Sequence, residues 1–312
     1  MTEKPKVICI VGPTASGKTG LAVEIAKLTG GEIISADSMQ VYKDMPIASA
    51  APTNEEKQGV KHYLLEYADP GEQQTVAKYK ELATEKIEEI LLKGKIPIIV
   101  GGTGLYIDAV INNLTYTPEE SDPELRQRLE KEYDEQGGEK MLQKLAGIDE
   151  TAAKRISKND KKRIVRALEL YYNSNVTPTK QYENSRKTGS PYDFTVIGIK
   201  YADRQKLYDR INRRVDLMLE NGLLDEARRF YEKGEKCAAG FAAIGHKEFY
   251  PYFKGEISLD DAIENLKMQT RRYAKRQLTW FNRNENINWI YPDVTEDVSG
   301  EAEKVLKRRR IL

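Results

Sequence analysis

The amino-acid sequence predicts an α/β fold in which a parallel sheet is flanked by helices, with an inserted, mainly helical domain. Two observations support this prediction. Short apolar runs alternate with amphipathic, helix-like stretches, as expected when parallel strands are buried on both faces. Between residues 114 and 193 the alternation stops, and the sequence becomes strongly charged and poor in strand signals.

The first strand, loop and helix form the most informative stretch. Residues 7–11 (VICIV) are an apolar run, and Leu21, Ile25 and Leu28 lie on one face of a predicted helix. The intervening residues fit the phosphate-binding loop (P-loop) pattern G-x-x-x-x-G-K-[ST]; they are Gly12, Pro13, Thr14, Ala15, Ser16, Gly17, Lys18 and Thr19. Such a loop surrounds an anion with backbone N–H groups at a helix N-terminus. The sequence therefore predicts a di- or triphosphate site, with Lys18 as a point charge and Thr19 as a magnesium ligand.

Four further apolar runs complete the predicted sheet. They are residues 33–35, 96–100, 194–199 and 287–290, and a helical pattern at residues 79–92 precedes the second of them. Ligands of a doubly wound sheet gather at the carboxyl ends of its strands. We therefore expect the residues that follow these runs to contribute to the site.

Two polar segments follow predicted strands. Asp37, within residues 35–40 (SADSMQ), is expected at the same sheet edge as the phosphate loop. A carboxylate there can orient magnesium, accept a proton or cap a helix, since aspartate is favoured at an N-cap. Residues 101–104 (GGTG) form a second flexible loop at this edge, where Thr103 either offers its hydroxyl to a ligand or caps the next helix.

Charge is distributed unevenly within the predicted insertion. Residues 119–150 contain eleven acidic and five basic side chains, whereas residues 151–187 contain ten basic and three acidic ones. The basic group is densest at Lys161, Lys162, Arg163 and Arg166. It indicates either a phosphate-binding surface for RNA or an ordinary solvated helix face.

A second basic group lies on a long predicted helix after Asp260. Its cations are Arg271, Arg272, Lys275 and Arg276, and they are interleaved with Tyr273, Trp280 and Phe281. Basic and aromatic residues together suit RNA, because the charges contact phosphates and the rings stack on unpaired bases. The same rings are ordinary core material, so burial of Trp280 and Phe281 is the alternative.

Composition narrows the possible classes. The 312 residues carry a net charge of +1, which gives no global signature of nucleic-acid binding. Two distant cysteines, Cys9 and Cys237, and two histidines, His62 and His246, exclude a disulfide framework and a histidine-rich metal site. No signal peptide or membrane-length apolar stretch is visible, so a cytoplasmic location is expected. An N-K-x-D base-reading motif and the terminal aspartate of an ordinary Walker B strand are both absent, which argues against a GTPase.

The sequence resembles the bacterial tRNA dimethylallyltransferases of the tRNA isopentenyltransferase family. The similarity lies in residues 11–19, 35–42, 100–106, 160–169, 243–248 and 275–280, which occur in family order along nearly the whole chain. One departure is His246, where the family usually has tyrosine. The low cysteine count fits the absence of the zinc finger found in eukaryotic relatives.

The resemblance implies a reaction and a domain organisation. A dimethylallyl group would pass from its diphosphate to N6 of the adenosine 3′ to the anticodon in tRNA, with release of diphosphate. Residues 1–113 and 194–312 would form the P-loop catalytic core, and residues 114–193 the inserted helical tRNA-binding domain. Asp37 is the expected proton acceptor, with Lys18 and Thr103 acting at the leaving oxygen and Mg²⁺ on Thr19. Arg210 and Arg214, one helical turn apart, are both candidates for binding the diphosphate.

The resemblance also implies tRNA contacts at Asp37, Ser38, Met39, Gln40, Thr103, Arg126, Lys161, Lys162, Arg163, Ile164, Val165, Lys275, Arg276, Gln277 and Trp280. The anticodon stem-loop is the expected partner, and the enzyme is expected to be monomeric and not membrane-bound. Three alternatives are a P-loop small-molecule kinase, an adenylate isopentenyltransferase acting on a free nucleotide, and a regulatory nucleotide-binding module.

Overall fold

A six-stranded parallel sheet forms the centre of the larger of two structural units. The computed structural model describes residues 3–116 and 122–312. The strands are β1 (Lys6–Val11), β2 (Glu32–Ser35), β3 (His62–Tyr63), β4 (Pro97–Gly101), β5 (Asp193–Ile199) and β6 (Asn288–Ile290). Their order is β3-β2-β4-β1-β5-β6, and Ile10 in the middle strand lies opposite Val100 of β4 and Ile197 of β5. The predicted α/β class with a parallel sheet is confirmed.

Helices make up most of the remaining structure. In chain order they are α1 (Lys18–Thr29), α2 (Asn54–Lys57), α3 (Val76–Leu92), α4 (Gly104–Ile111), α5 (Pro123–Gln136), α6 (Gly138–Ile148), α7 (Glu150–Arg155), α8 (Lys161–Ser174), α9 (Pro178–Ser185), α10 (Arg204–Glu220), α11 (Leu223–Lys233), α12 (Ala238–Ala242), α13 (Tyr250–Phe253), α14 (Leu259–Phe281) and α15 (Val298–Arg308). Two short 3₁₀ turns lie at Gly234–Cys237 and Lys247–Phe249. No helix in the described residues is long and apolar enough to cross a membrane.

Both faces of the sheet are covered. Val7, Cys9 and Val11 point to one core, which also contains side chains of α3 and α4. Ile8 and Ile10 point to the opposite core, which α1 and α15 complete. Because neither face of β1 meets water, its sequence is apolar throughout and does not alternate.

The loops after β1, β2 and β4 meet at the carboxyl edge of the sheet. The backbone N–H of Ala36 donates to Val100 O at 2.7 Å, and the N–H of Thr103 donates back to Ala36 O at 3.2 Å. These bonds extend the pairing of β2 and β4 beyond the strands themselves. They bring the Asp37 and Thr103 segments side by side, as the parallel topology requires.

The chain divides into two units. One contains the residues up to Ile111 together with Pro191–Leu312, and the other is Asn112–Ser190. The second unit consists of α5 to α9 around its own apolar core, which includes Leu129, Met141, Leu145 and Leu168. The structural boundaries at residues 111 and 191 lie close to the 113 and 194 chosen from the sequence.

One detail of the fold, the short strand β3, differs from the sequence expectation. The two-residue strand β3 was not predicted, because it pairs with β2 only through Ile33 and Ile34 and is too short to give a periodic signal. The long helix α14 was expected, and it begins where the Ser258 hydroxyl accepts a hydrogen bond from Asp261 N. It has 23 residues, and Tyr273, Arg276 and Gln277 of this helix line the cavity described below.

Candidate active site

The phosphate loop connects β1 to α1. Gly12 has a φ of +149°, and a Cβ there would lie 2.5 Å from Ile199 O, so only glycine fits. The Oγ atom of Ser16 is buried without a hydrogen-bond partner in the described structure. Together with the N-terminal N–H groups of α1, this unused hydroxyl gives the loop the donors that a phosphate needs.

Lys18 is the first residue of α1 and is fixed by the loop itself. Its Nζ donates to Pro13 O at 2.5 Å. Burial lowers the pKa of Lys18 to about 7, with the Arg214 guanidinium as the second cause and the Asp37 carboxylate acting in the opposite direction. Burial also lowers the pKa of Arg214, again against the effect of Asp37. Two cations thus share a poorly hydrated space with one carboxylate, and an anionic ligand would relieve their repulsion.

The two candidate arginines of α10 have different positions. Arg214 is half-buried and lines the cavity described below. Arg210 is exposed, and its Nε donates to Ala15 O at 2.9 Å, on the backbone of the phosphate loop. The geometry therefore favours Arg214 as the ligand-binding arginine and Arg210 as a support for the loop.

Asp37 lines the same cavity and also caps a turn. Its Oδ1 accepts hydrogen bonds from the backbone N–H groups of Met39, at 2.9 Å, and Gln40, at 3.4 Å. The capping role that the sequence left open is therefore present. It does not exclude a chemical role, because the two N–H bonds fix the carboxylate in the cavity wall.

Thr103 joins the loops after β2 and β4. Its Oγ1 accepts a hydrogen bond from Ser38 N at 3.0 Å and donates to Ser38 Oγ at 3.3 Å. The hydroxyl is thus directed toward the Asp37 segment. The neighbouring Gly102 lines the cavity described below, whereas Thr103 is not among its described lining residues.

Gln277 of α14 ties two loops of the site together. It is 5% exposed, and its Oε1 accepts from the backbone N–H of Thr14 at 2.8 Å. Its Nε2 donates to Gly102 O at 3.0 Å. One buried carboxamide therefore sets the spacing between the phosphate loop and the loop after β4.

These elements surround a cavity of about 330 Å³. Its charged lining residues are Lys18, Asp37, Arg214, Lys247 and Arg276. Its apolar lining includes Met39, Ala48, Val215, Met218, Ile244 and Leu266. Asp37 is the one carboxylate among the lining residues that the structure describes, so the cavity combines a cationic end with an apolar wall.

The aromatic residues at the end of α14 belong to the packing around the site. Phe281 is 3% exposed. A Cβ on Gly104 would lie 2.3 Å from Cδ1 of Trp280, so the indole packs directly on the start of α4. The Trp280 Nε1–H donates to Asp108 Oδ2 at 3.1 Å. The predicted tRNA contact of Trp280 therefore competes with a packing role, whereas Lys275 and Arg276 are exposed.

Five of the predicted tRNA contacts, at residues 161–165, lie on α8 of the second unit. Lys161 pairs with both carboxylate oxygens of Asp134 at 2.6 Å, and Arg163 pairs with Asp160 at 3.3 Å. Ile164 and Val165 are 0% and 3% exposed and lie in the apolar core. Their predicted side-chain contact with tRNA is corrected: every third or fourth residue of α8 faces inward, so the basic run cannot be exposed as a whole.

Arg126 is held by a buried carboxylate. Its Nη2 donates to Glu169 Oε2 at 2.8 Å, and Arg166 Nη1 donates to the same oxygen at 2.9 Å. Glu169 is 1% exposed, while both arginine side chains are nearly half exposed. The buried Glu169 carboxylate thus fixes the orientation of two partly exposed guanidinium groups, those of Arg126 and Arg166.

Several lining residues were not assigned from the sequence. Lys247, Ile244, Met218 and Tyr273 line the cavity. The pKa of Tyr273 is raised, with burial as the main cause and the charge of Asp37 as the second. The 243–248 segment was recognised as a motif without a role. Its position beside the cavity depends on contacts between α11 and the backbone of Ile47 and Ala48, which no local sequence pattern predicts.

Comparison with known proteins shows the family of this chain. The family model described as IPP transferase matches residues 40–284. A tRNA dimethylallyltransferase from Acetivibrio thermocellus is 51% identical over 302 residues, which cover 96% of this chain and 95% of that protein.

Two solved structures are similar over almost the whole chain. The tRNA delta(2)-isopentenylpyrophosphate transferase from Staphylococcus epidermidis has a TM-score of 0.70 and 39% identity, covering 98% of this chain and 99% of that one. A eukaryotic dimethylallyltransferase captured acting on tRNA has a TM-score of 0.81 and 30% identity, covering 97% of this chain and 78% of that one.

Proposed function

The chain belongs to the IPP transferase family of tRNA dimethylallyltransferases, and we propose that its cavity transfers a dimethylallyl group from dimethylallyl diphosphate to tRNA. The acceptor is N6 of the adenosine on the 3′ side of the anticodon, and diphosphate is released. The observation that carries this proposal is a cavity with a cationic phosphate-binding end, an apolar wall and a single carboxylate among its described lining residues.

The cationic end suits a diphosphate leaving group. When the C–O bond of the donor breaks, the allylic carbon gains cation character and negative charge grows on the bridging oxygen. Lys18, Arg214 and the loop N–H groups stabilise that charge, and they do so most strongly in a site from which water is excluded. The apolar wall, with Met218 and Ile244, suits the five-carbon group.

Magnesium fits this site as a partner of the diphosphate. The described residues contain no cluster of three His, Cys, Asp or Glu side chains that would hold a metal alone. Mg²⁺ is commonly held by one or two protein oxygens together with substrate phosphates and water, and Thr19 Oγ1 at the start of α1 supplies such an oxygen. When bound, the ion neutralises charge on the diphosphate.

Asp37 takes the proton that the reaction releases. N6 attacks the allylic carbon, the new C–N bond forms, and the N6 proton becomes acidic only as that bond develops. A carboxylate within reach is then a sufficient base. The N–H groups of Met39 and Gln40 hold Oδ1 in a fixed direction, which orients the acceptor amine.

The tRNA must present an unstacked base. Enzymes that modify a base take it out of the stack into a pocket, and phosphate contacts position the rest of the nucleic acid. Ser38, Met39 and Gln40 line the pocket beside Asp37 and are assigned to the base. Exposed cations of α14 and α8, including Arg276 and Lys162, are assigned to the tRNA backbone.

Incubation with labelled dimethylallyl diphosphate and unmodified tRNA tests this function. AMP serves as the competing acceptor, and ATP as the competing phosphate ligand. Label in tRNA alone is the expected result. Label in AMP indicates an adenylate isopentenyltransferase, while tight binding of ATP that the prenyl diphosphate does not displace indicates a kinase.

A further inference from the structure

A buried histidine–carboxylate pair lies directly behind one wall of the cavity. His246 and Glu226 are both 0% exposed, and His246 Nε2 lies 2.9 Å from Glu226 Oε1. The other ring nitrogen lies 3.3 Å from Gly240 O, and the ring stacks on Phe230 at a centroid distance of 4.8 Å. The imidazole is therefore fixed in place and in orientation.

Glu226 in turn holds the backbone of a cavity segment. Its Oε2 accepts from Ile47 N at 3.0 Å, and its Oε1 accepts from Ala48 N at 2.9 Å. The residues that follow, Ala48, Ser49 and Ala50, line the cavity. The buried pair thus fixes this segment from the side opposite to the ligand.

The same segment fixes Gln40. The Nε2 of Gln40 donates to Ala50 O at 3.1 Å and to Ser49 O at 3.4 Å, and its Oε1 accepts from Ser35 Oγ at 2.9 Å. In addition, the Ser49 Oγ atom is buried without a hydrogen-bond partner in the described structure. Two polar side chains of the cavity wall therefore depend on where residues 47–50 lie.

We propose that His246 is a positioning residue for the prenyl transfer: through Glu226 it fixes the Ile47–Ala50 segment, and this segment holds Gln40 and Ser49 in place for the target base. The proposal rests on the proposed function, because it assigns this wall to the acceptor nucleoside. His246 touches neither substrate. It acts by keeping the Glu226 carboxylate directed at the Ile47 and Ala48 N–H groups.

Three substitutions separate positioning from a general effect on folding. Glutamine in H246Q places an amide N–H near the position of Nε2 and retains the bond to Glu226. Asparagine in H246N is equally polar but reaches only toward Gly240, and leucine in H246L has no donor. H246Q and H246N are thus a matched pair that differs in one hydrogen bond, the bond to Glu226.

Hydrogen exchange of the full chain is the first measurement, and it does not depend on activity. We expect amides of residues 45–52 to exchange about tenfold faster or more in H246N and H246L, and near wild-type rates in H246Q. The sheet amides of β1 should be unchanged in all three. Wild-type protection of residues 45–52 in H246N would overturn the proposal.

Single-turnover transfer to an anticodon stem-loop is the second measurement. We expect H246N and H246L to lose about 10- to 100-fold in the transfer step, since a 1 Å misplacement has effects of that size, with H246Q within about threefold of wild type. Affinity for dimethylallyl diphosphate should be unchanged. Equal rates in H246Q and H246N, or a loss explained by donor affinity alone, would refute it. Absence of transfer by the wild-type chain would instead refute the proposed function, and hydrogen exchange would still decide the positioning role.

Discussion

The carboxamide oxygen of Gln277 accepts a hydrogen bond from the backbone N–H of Thr14 at 2.8 Å, although 263 positions separate the two residues. The same side chain donates to Gly102 O at 3.0 Å. The helix α14 therefore supports the phosphate loop that follows β1, although the two are far apart in the sequence, and one side chain links three segments of the site.

Gln277→Leu should destabilise the protein and impair donor binding together. It leaves the Thr14 N–H and the Gly102 carbonyl buried without partners, at a cost of about 1–3 kcal/mol for each unsatisfied group. Thermal unfolding and the affinity for dimethylallyl diphosphate measure the two effects. Gln269→Leu makes the same replacement on the same helix, where the amide donates to Asn265 Oδ1 one turn away at 3.3 Å, and should change neither quantity much.

Asp37 can be tested with the turn left intact. Asp37→Asn keeps an oxygen for the Met39 N–H but is no longer a base, whereas Asp37→Ala loses both functions. Both should slow single-turnover transfer by on the order of 10²–10⁴-fold, with tRNA affinity nearly unchanged. Near-normal transfer by Asp37→Asn would reduce Asp37 to the cap of its turn.

Donor affinity should depend on pH through Lys18. The pKa of Lys18 is lowered to about 7, so the cationic form that binds diphosphate predominates below pH 7 and is lost above it. A bound diphosphate favours the charged amine, so binding above pH 7 takes up a proton and affinity falls by up to about tenfold per pH unit. Titration of Lys18→Met over the same range measures the pH dependence that comes from the diphosphate itself. Parallel pH profiles for the two proteins would contradict the assignment.

Arg214→Gln should weaken dimethylallyl diphosphate binding much more than Arg210→Gln. Arg214 lines the cavity together with Lys18, whereas Arg210 donates to the loop backbone at Ala15 O. A lost charge-assisted contact is worth about 1.5–3 kcal/mol, or roughly 10- to 100-fold in affinity. Isothermal titration of both variants decides the order, and a larger loss in Arg210→Gln would reverse the assignment.

Neutralising Lys161, Lys162 and Arg163 together should weaken tRNA binding and reduce its salt dependence. Each phosphate contact that is lost lowers the magnitude of the log–log slope by somewhat less than about one unit. Lys131→Gln, on α5 of the same unit and paired with Glu135, is the control for a lost surface charge. A salt slope equal to that of wild type would make the cluster a solvated helix face.

The sequence predicted those parts of the site that depend on local patterns. The strand at residues 7–11, the phosphate loop and Asp37 were predicted because strand, loop and helix N-terminus follow each other directly. The parallel topology then required the segments after β2 and β4 to meet, and the hydrogen bonds between Ala36, Val100 and Thr103 join them.

The remaining parts depend on contacts between distant segments. Lys247 and Met218 reach the cavity through the packing of α10, α11 and α14, which no short motif encodes. Ile164 and Val165 were grouped with the basic run by sequence adjacency, but helical periodicity directs them into the core. The choice between Arg210 and Arg214 likewise required knowing which face of α10 meets the loop.

The position of β1 has a consequence for synthesis of the chain. β1 precedes the other strands of the sheet in the sequence, yet it lies between β4 and β5, and its pairing with β5 extends from Lys6 to Val11. β5 leaves the ribosome roughly 180 residues after β1, on the order of 10–40 s later at typical elongation rates. During that interval one edge of an apolar strand is unpaired in the nascent protein. Truncated chains that end before Asp193 should therefore aggregate or be captured by chaperones, whereas chains extended past Ile199 should not expose this edge.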